Sequence, residues 1–577
     1  MYPLSGRAFK TQYIAVILVA GTILAVLAAP TMLSRSREFT TMVEMRDGVR
    51  LATTVYLPPG DGPFPVLLYR TPYDDAKYAD MAATYTGAGI AVVTQDMRGR
   101  FESEGVFQVF TQDGDGELKD GFDTMQWIVN QDWSNGLIAT AGNSADGIVQ
   151  YMEASANPPG LVLVEPMMAT PNLYSDAIFY DGVRRYYLSH TWLEGNDMLY
   201  FEEEFARHPF EDRFWAPVQT YDQYGNVHAA GFHIAGWFDI FQNGNIEGYI
   251  GYQHEGGNGA AGQQKLIVGP WTHGTYESLT QGELTFPPNS LEPPYSIEEV
   301  SDIMLNYYLQ VNHPGIDKTP EDIPNVQYYV MGDVDDPDAP GNEWRTADDW
   351  PPDAAPVRLH LQPGGGLAEA CPPGNGGTTS YVFDPEDPSP TICGNNMNLD
   401  AGSCDQRTVE ARDDVVVFET DVLTAPMEIT GRVVAHLFVE IDQPDADLMV
   451  RMTDVYPDGR SMLIADGALR LATRGSTTRL TPLKPGEVVE GVVDLWSTSL
   501  ILNVGHRLRI SVTSSNWPRF SVNQNNGLPY PESVAGEGAP VTVTLHHDGE
   551  YASYLEVPDP TRSTDEITTC DGFSFHR

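Results

Sequence analysis

Residues 139–147 read Ala-Thr-Ala-Gly-Asn-Ser-Ala-Asp-Gly and place one serine, Ser144, between Gly142 and Gly147. An apolar run precedes this stretch, and a helix-compatible run, residues 148–155, follows it. Glycines at this spacing allow a serine to stand on a sharp strand-to-helix turn with backbone packed closely around it. The stretch therefore predicts a nucleophile elbow, and the alternative interpretation is an ordinary polar turn.

Short apolar runs recur on both sides of this stretch and alternate with segments of helical length. Runs that are apolar on both faces are typical of parallel strands covered by helices on each side. The pattern predicts an α/β domain with strands at residues 66–69, 90–93, 137–141, 161–164, 233–237 and 266–268.

The pattern changes at two places further along the chain. Residues 171–226 are rich in aromatic and acidic side chains, which predicts a helical cap insertion that is either a lid or a packed subdomain. Residues 351–577 begin with Gly- and Pro-rich sequence and continue as short alternating strands, which predicts a C-terminal β jelly roll. The α/β domain then comprises residues 37–170 and 227–350.

Two further residues fit a serine nucleophile. A serine needs an imidazole to accept its proton and a carboxylate to orient that imidazole. Asp239 follows one predicted strand and His273 follows the next. The order Ser144, Asp239, His273, each at the carboxyl end of a strand, is that of the α/β-hydrolase layout. Singly, Asp239 could cap a helix and His273 could serve a turn; together with the elbow they predict a catalytic triad.

Six separated motifs, in order, resemble the cocaine esterase and X-Pro dipeptidyl-peptidase family of hydrolases. Besides the Ser144 elbow they are RTPYD (70–74), QDMRGRFESEG (95–105), DGFDTMQWI (120–128), GWFD (236–239) and GPWTH (269–273). Residues 454–460, 465–470 and 505–518 are similar to the family's C-terminal jelly roll. The resemblance covers roughly residues 38–550.

The resemblance implies a role for each matching position. Ser144 would be the nucleophile, His273 the general base and then acid, and Asp239 the group that orients the histidine. The oxyanion would be held by the backbone N–H of Ala145 and by the hydroxyl of Tyr73.

One position departs from the family pattern. Relatives commonly carry a large aromatic residue directly after the nucleophile, whereas this chain has Ala145, which predicts a smaller pocket wall there. The next residue, Asp146, could attract a substrate amine or belong to a solvated first helical turn. Trp237 and Trp271, each near a triad member, are either packing residues or part of the acyl pocket.

The charge of the chain excludes one class of partner. Eighty acidic residues against 33 basic ones give a net charge of −47, which disfavours binding to phosphate backbones, so no nucleic acid is expected. The histidines are scattered, which predicts no metal and no cofactor. The expected partner is a small ester, amide or short peptide substrate. The oligomeric state stays open, and a homo-oligomer is compatible with the sequence.

The N-terminus predicts export. Residues 1–36 contain Arg7 and Lys10, then an uncharged stretch that ends in small residues, which is the pattern of a signal peptide. The stretch is also long enough for an N-terminal membrane anchor. Either interpretation places the protein outside the cytoplasm, as a secreted, periplasmic or outward-facing anchored protein. The four cysteines, Cys371, Cys393, Cys404 and Cys570, favour two disulfides without fixing their pairing.

The leading hypothesis is therefore an exported serine hydrolase that cleaves esters or amides through an acyl-enzyme. Within this chemistry the alternatives are an Xaa-Pro dipeptidyl-peptidase and an amino-acid ester hydrolase or acylase. A hypothesis of another class is a non-catalytic protein that binds glycan or polymer on a hydrolase scaffold.

Overall fold

The computed structural model of the protein describes residues 37–562. The strands of its first part form one large sheet and two short hairpins. In chain order they are β1 (Arg37–Glu44), β2 (Arg50–Leu57), β3 (Phe64–Thr71), β4 (Ala91–Asp96), β5 (Ser134–Asn143), β6 (Leu161–Met167), β7 (Phe179–Tyr180), β8 (Val183–Arg184), β9 (Ala230–Phe238), β10 (Gln264–Thr272), β11 (Thr280–Gln281), β12 (Leu284–Thr285), β13 (Val326–Val330) and β14 (Glu343–Ala347).

Within residues 37–562, eight α-helices connect or cover these strands and those of the second part. They are α1 (Ala79–Gly87), α2 (Asp120–Val129), α3 (Ala145–Ser155), α4 (Tyr186–Gly195), α5 (Glu202–Arg207), α6 (Gln242–Glu255), α7 (Ile297–Tyr308) and α8 (Arg407–Glu410).

The large sheet has the strand order β1-β2-β4-β3-β5-β6-β9-β10-β13-β14. The seven strands from β4 to β13 in this order run parallel, and antiparallel strands lie at both edges. Because side chains alternate along a strand, Leu67 packs on one face with Ile303 of α7, whereas Val66 and Leu68 pack on the other face with Met125 of α2. Strands apolar on both faces and covered by helices confirm the predicted α/β-hydrolase domain.

The predicted cap, residues 171–226, contains α4, α5, the β7–β8 hairpin and several single helical turns. It packs on α3, because Phe179, Leu188 and Phe205 belong to the same hydrophobic cluster as Ile148 and Met152. The insertion is thus partly helical and partly irregular, and it covers the helix that follows Ser144.

The second part of the chain is all β apart from α8 and short turns. Its strands are β15 (Ala355–Gln362), β16 (Gly366–Ala368), β17 (Thr378–Phe383), β18 (Val416–Glu419), β19 (Met427–Ile441), β20 (Asp447–Val455), β21 (Ser461–Arg470), β22 (Val489–Leu502), β23 (Arg507–Thr513), β24 (Val541–His546) and β25 (Tyr554–Asp559). Nearly all neighbours in it pair antiparallel. This confirms a β-rich domain after the hydrolase domain.

The two domains share a core. Trp237 of β9 and Val330 of β13 belong to the same hydrophobic cluster as Ile429 and Leu500 of the β domain. Backbone hydrogen bonds join them as well, since Met331 exchanges two with Ser499 and Ile501. The β domain is therefore packed directly against the part of the sheet that contains β13 and β9, the strand that Asp239 follows.

The predicted signal peptide or anchor, residues 1–36, lies outside the described residues, as does the end of the chain from residue 563. Among residues 37–562, no helix is long and apolar enough to cross a membrane.

Candidate active site

Ser144 stands on a strained turn between β5 and α3. Its φ of 60° and ψ of −122° are unusual for a residue other than glycine, and such a conformation costs on the order of 1–3 kcal/mol. Hydrogen bonds hold the turn: the N–H of Ser144 donates to the carbonyl of Met167 at 2.9 Å, and its carbonyl accepts from Gly147 and Ile148 at 2.8 Å. The Ser144 side chain is thereby presented at the carboxyl edge of the sheet.

The two glycines of the elbow are explained by close contacts. A Cβ atom on Gly142 would lie 2.7 Å from the Cβ of Asp146, and one on Gly147 would lie 2.6 Å from the Cβ of Ala169. Neither position has room for a side chain. The spacing of the glycines around Ser144 is therefore a requirement of the turn.

His273 follows β10 directly and lies between two polar partners. Its Nε2 is 3.0 Å from the Oγ of Ser144, and its Nδ1 is 2.6 Å from an Oδ of Asp239. The imidazole is 8% exposed and the carboxylate is fully buried. The structure thus brings together the three residues that the sequence predicted as a triad.

Asp239 follows β9 and is held from both sides. Its second carboxylate oxygen accepts the N–H of Phe241 at 2.8 Å, and its own N–H donates to the carbonyl of Gly236 at 3.0 Å. With both oxygens bonded, the carboxylate is fixed in one orientation toward the ring of His273.

Tyr73 follows β3 at the same edge of the sheet. Its hydroxyl oxygen accepts the indole N–H of Trp192, on α4, at 2.8 Å. Ala145 is the first residue of α3, where a backbone N–H has no partner within its own helix. The hydroxyl and this N–H are the two groups to which the family resemblance assigns the oxyanion hole, and that role stays a prediction.

An apolar pocket lies beside Ser144. Among the described residues that line it, none carries a charge, and the polar side chains are Ser144, Ser189 and Trp192. The apolar lining comes from the loop after β4, from α3, from the cap and from two loops beyond it: Val109, Phe110, Ala145, Ile148, Leu173, Ala177, Ile178, Leu188, Leu193, Phe205, Ile240, Phe241 and Met397. Such a pocket suits an uncharged, apolar group of a ligand.

Asp146 does not line this pocket. It is buried, accepts from the ammonium of Lys77 at 2.5 Å, and accepts from the hydroxyl of Tyr78. Burial next to this carboxylate raises the pKa of Tyr78 well above its usual value. Asp146 is therefore not in a solvated turn, which corrects that interpretation of the sequence, and its contact with a substrate amine stays a prediction.

The two tryptophans near the triad lie in the core. The indole N–H of Trp237 donates to the carbonyl of Tyr329 at 2.7 Å, and Trp271 packs against Tyr276 and Trp344. Neither side chain is among those that line the pocket. Their place in the structure is that of packing residues beneath the site.

Asp96 supports the loop that carries Tyr73. Its two oxygens accept the backbone N–H groups of Asp75 and Glu102 at 2.9 and 3.1 Å, and burial raises its pKa to about 6. Within residues 37–562, Asp74, Asp75 and Asp96 form the only acidic cluster compact enough for a metal ion. Both oxygens of the buried Asp96 carboxylate already have hydrogen-bond donors in the two backbone N–H groups, so its burial does not require a metal ion.

Sequence reasoning missed three residues of the site. Trp192 contacts Tyr73, Met397 lines the pocket, and Asn395 donates to the carbonyl of Asp239 at 2.8 Å. Trp192 had the weak signal of an aromatic-rich insertion. Asn395 and Met397 lie in the second domain, and nothing in their local sequence connects them to Ser144.

Two family models match the chain. The X-Pro dipeptidyl-peptidase (S15 family) model matches residues 47–199 and 185–275, and the X-Pro dipeptidyl-peptidase C-terminal non-catalytic domain model matches residues 318–556. Among curated proteins, a cocaine esterase from Rhodococcus is 30% identical over 581 residues, covering 90% of this chain and 97% of the esterase.

Solved structures of similar fold cover nearly the whole chain. An aminopeptidase from a marine sediment thaumarchaeon has a TM-score of 0.76 at 25% identity and covers 94% of this chain and 99% of its own. An α-amino acid ester hydrolase has a TM-score of 0.74 at 23% identity, with coverage of 92% and 98%. A CocE/NonD family hydrolase from Staphylococcus aureus has a TM-score of 0.69 at 20% identity, with coverage of 91% and 94%.

Proposed function

The chain belongs to the family of serine hydrolases that joins the X-Pro dipeptidyl-peptidases (S15) with cocaine esterase, and from this premise we propose that it hydrolyses esters of apolar carboxylic acids through an acyl-enzyme. The observation that carries the proposal is the His273 ring, bonded to Ser144 on one side and to Asp239 on the other beside an uncharged pocket. The catalytic roles given below are part of the proposal.

The reaction begins with attack of the Ser144 Oγ on the ester carbonyl. His273 Nε2 accepts the hydroxyl proton, and Asp239 stabilises the imidazolium that forms. The tetrahedral oxyanion receives hydrogen bonds from the Ala145 N–H and the Tyr73 hydroxyl. His273 then protonates the leaving alcohol, and a water molecule activated by the same ring hydrolyses the acyl-enzyme.

The pocket supports an apolar acyl group. Its walls are aliphatic and aromatic, and it opens at Ser144 itself, so a group attached to the reacting carbonyl would lie within it. Burying a ring or a branched chain there removes apolar surface from water at roughly 25 cal/mol per Å². A charged acyl group would lose hydration without a partner in this pocket.

The second candidate is an enzyme for substrates with a free amine, either an Xaa-Pro dipeptidyl-peptidase or an amino-acid ester hydrolase. The aminopeptidase among the structural relatives favours it. An ammonium group needs a nearby carboxylate, and none of the described residues that line the pocket supplies one. Asp146, the carboxylate closest in sequence to the nucleophile, is bonded to Lys77. The ester hydrolase is therefore the better supported candidate.

A non-catalytic glycan- or polymer-binding protein remains the alternative of another class. It offers no reason for the strained backbone of Ser144 or for the buried bond between Asp239 and His273, because both cost free energy that simple binding does not need. The site geometry therefore favours catalysis.

The test compares the wild-type protein with Ser144→Ala on matched substrates. Ethyl phenylacetate and phenylglycine ethyl ester differ by one α-amino group, and an Ala-Pro anilide tests peptidase activity. We expect turnover of ethyl phenylacetate, at least tenfold lower kcat/KM on the amino ester and on the anilide, and no turnover by Ser144→Ala. A preference for the amino ester or the anilide would favour the second candidate. Equal activity of wild type and variant would remove the triad from the mechanism.

We also propose that the protein is exported. The proposal is supported by the apolar stretch within residues 1–36 and by the disulfide between Cys393 and Cys404, because disulfides persist mainly in oxidising compartments. Fractionation of cells that express the full chain tests it, with the protein expected outside the cytoplasm and either free or membrane-associated.

A further inference from the structure

A loop of the second domain reaches the candidate active site. Cys393 and Cys404 form a disulfide that closes this loop, and residues 393–404 are called the disulfide loop below. Its base is paired, since Gly394 and Gly402 exchange two backbone hydrogen bonds of 2.9 and 3.0 Å. The side-chain amide of Asn396 donates to the carbonyl of Cys393 at 2.5 Å. The loop is therefore internally rigid.

Asn395, near the start of the disulfide loop, holds the backbone at Asp239. Its side-chain amide donates to the carbonyl of Asp239 at 2.8 Å and to that of Trp237 at 3.2 Å. Asn395 is 4% exposed, and Trp237 and Asp239 are 2% and 0% exposed, so water does not compete for these carbonyls. The carbonyl of the next residue, Ile240, accepts a hydrogen bond from the Arg185 side chain at 2.9 Å.

The disulfide loop also braces the segment after His273. Ser403 donates to the carbonyl of Gln281 at 3.3 Å and accepts from Glu283 at 2.8 Å. The side chain of Gln281 in turn accepts from the N–H of Thr272 at 2.9 Å and from the hydroxyl of Thr275 at 2.7 Å. These two residues flank His273 closely, so the loop is linked to both sides of the bond between Asp239 and His273.

We propose that the disulfide loop is a positioning element of the active site and that Asn395 is the residue through which it fixes Asp239. Asn395 lies behind the carboxylate and does not touch substrate; it acts by keeping the Asp239 backbone where the 2.6 Å bond to His273 forms. Displacement of a catalytic group by about 1 Å can cost on the order of 10²-fold in rate. The disulfide limits the conformations of the loop and so keeps Asn395 in place.

This inference rests on the proposed function. Two kinetic properties distinguish a residue that positions Asp239 from a residue that shapes the pocket. Asp239 serves every substrate, so loss of Asn395 should lower kcat by the same factor for small and large acyl groups. Met397, in the same loop, lines the pocket, and its truncation should change kcat/KM in proportion to acyl size. A merely structural role of Asn395 would lower the melting temperature without such a uniform loss of kcat.

The first experiment measures kcat and KM of Asn395→Ala on acetyl, butyryl and phenylacetyl esters. We expect kcat to fall about 10- to 100-fold on all three esters, with KM within threefold of wild type. Asn525→Ala is the matched control, because Asn525 is also buried and its amide also donates to a backbone carbonyl, that of Ala539. Wild-type kcat in a folded Asn395→Ala would overturn the role of Asn395.

The second experiment measures kcat of two double variants. One carries Cys393→Ser and Cys404→Ser, which removes the disulfide, and the other carries Cys371→Ser and Cys570→Ser. We expect at least a tenfold lower kcat only when the Cys393–Cys404 disulfide is removed. If Asn395→Ala does not fold, this pair decides the proposal, and equal kcat in both double variants would overturn it.

A third measurement does not depend on the choice of ester. Diisopropyl fluorophosphate labels an activated serine: the Oγ bonds to phosphorus, the P–F bond breaks and releases fluoride, and the hydroxyl proton passes to the His273 ring. Mass spectrometry measures the rate of this labelling at Ser144. Slower labelling of Asn395→Ala than of wild type supports the inference, and equal rates overturn it. Absence of labelling in wild type would instead contradict the proposed function, so the two failures are distinguishable.

Discussion

The indole N–H of Trp192 donates to the hydroxyl oxygen of Tyr73 at 2.8 Å, which joins the cap to the loop after β3. An indole N–H can only donate, so the Tyr73 hydroxyl acts as the acceptor and its own proton points elsewhere. Trp192 also lines the pocket with Ser144. The cap therefore contacts the Tyr73 hydroxyl as well as lining the pocket beside Ser144.

We expect Tyr73→Phe to lower kcat by about 10² to 10³, the usual loss for one oxyanion donor, while KM stays within threefold of the wild-type value.

Trp192→Phe should lower kcat about fivefold, because it removes one hydrogen bond to Tyr73 worth roughly 1 kcal/mol. Steady-state kinetics on a single ester checks both values. Tyr200→Phe is the control, because its hydroxyl donates to the carbonyl of Phe107 in the same region. Equal kcat in Tyr73→Phe and wild type would exclude Tyr73 from the oxyanion hole.

The side chain of Ala145 should set the size of the acyl group. Ala145 lines the pocket and is 2% exposed, so Ala145→Trp would fill space next to Ser144 and keep the backbone N–H. We expect kcat/KM for a phenylacetyl ester to fall more than tenfold and kcat/KM for an acetyl ester to change less than threefold. Ala145→Gly, which adds no volume, should leave the order of preference as in wild type. The same loss on both esters would place the acyl group elsewhere.

The ion pair of Lys77 and Asp146 should stabilise α3, the helix that follows Ser144. Lys77 also lies over the ring of Tyr73, with its ammonium 4.7 Å from the ring centroid. Lys77→Met leaves the buried carboxylate without its cation, and we expect the free energy of unfolding to fall by about 1–3 kcal/mol. Adding Asp146→Asn should recover part of this loss, because the two residues interact directly. Chemical denaturation of the single and double variants measures the coupling, and strictly additive losses would contradict it.

Glu165 should make stability depend on pH. It is buried in β6, accepts from the hydroxyl of Ser301 at 2.8 Å, and burial raises its pKa to about 8. Between about pH 4.5 and 8 the folded state therefore holds a proton that the unfolded state releases, so this residue's contribution to stability is lost as pH rises.

Glu165→Gln removes that titration. We expect the difference in unfolding free energy between the variant and wild type to increase in favour of the variant from pH 5 to pH 9. The increase should be on the order of 4 kcal/mol if the whole pKa shift is expressed. Thermal melts at a series of pH values measure the difference, and Glu38→Gln, at an exposed position, is the control. A difference between Glu165→Gln and wild type that does not change with pH would contradict the raised pKa.

The local parts of the site could be predicted from the sequence, because each is encoded in a short stretch. The glycines around Ser144 reflect backbone contacts within the turn, and Asp239 and His273 each follow a recognisable parallel strand directly. The carboxyl ends of these strands share one edge, so their proximity follows from the α/β pattern alone.

The remaining parts could not be predicted, because they depend on contacts between distant segments. Asp146 has a short-range environment typical of an exposed first helical turn, and only the packing of residues 77 and 78 over α3 buries it. Asn395 reaches Asp239 from another domain. Trp237 and Trp271 lie close to Asp239 and His273 in sequence, but their side chains are packed in hydrophobic clusters. Trp237 belongs to the cluster shared with the β domain, and Trp271 belongs to the cluster shared with α7.

The disulfide loop has a consequence for protein synthesis. A ribosome makes Ser144, Asp239 and His273 well before it reaches residues 393–404, so a partly synthesised chain carries the three reacting groups without the loop that contacts Asp239. The nascent hydrolase domain lacks the pocket wall formed by Met397 and cannot have the Cys393–Cys404 bond. On the proposal above, full activity therefore requires that translation has passed Cys404 and that Cys393 and Cys404 have been oxidised to the disulfide.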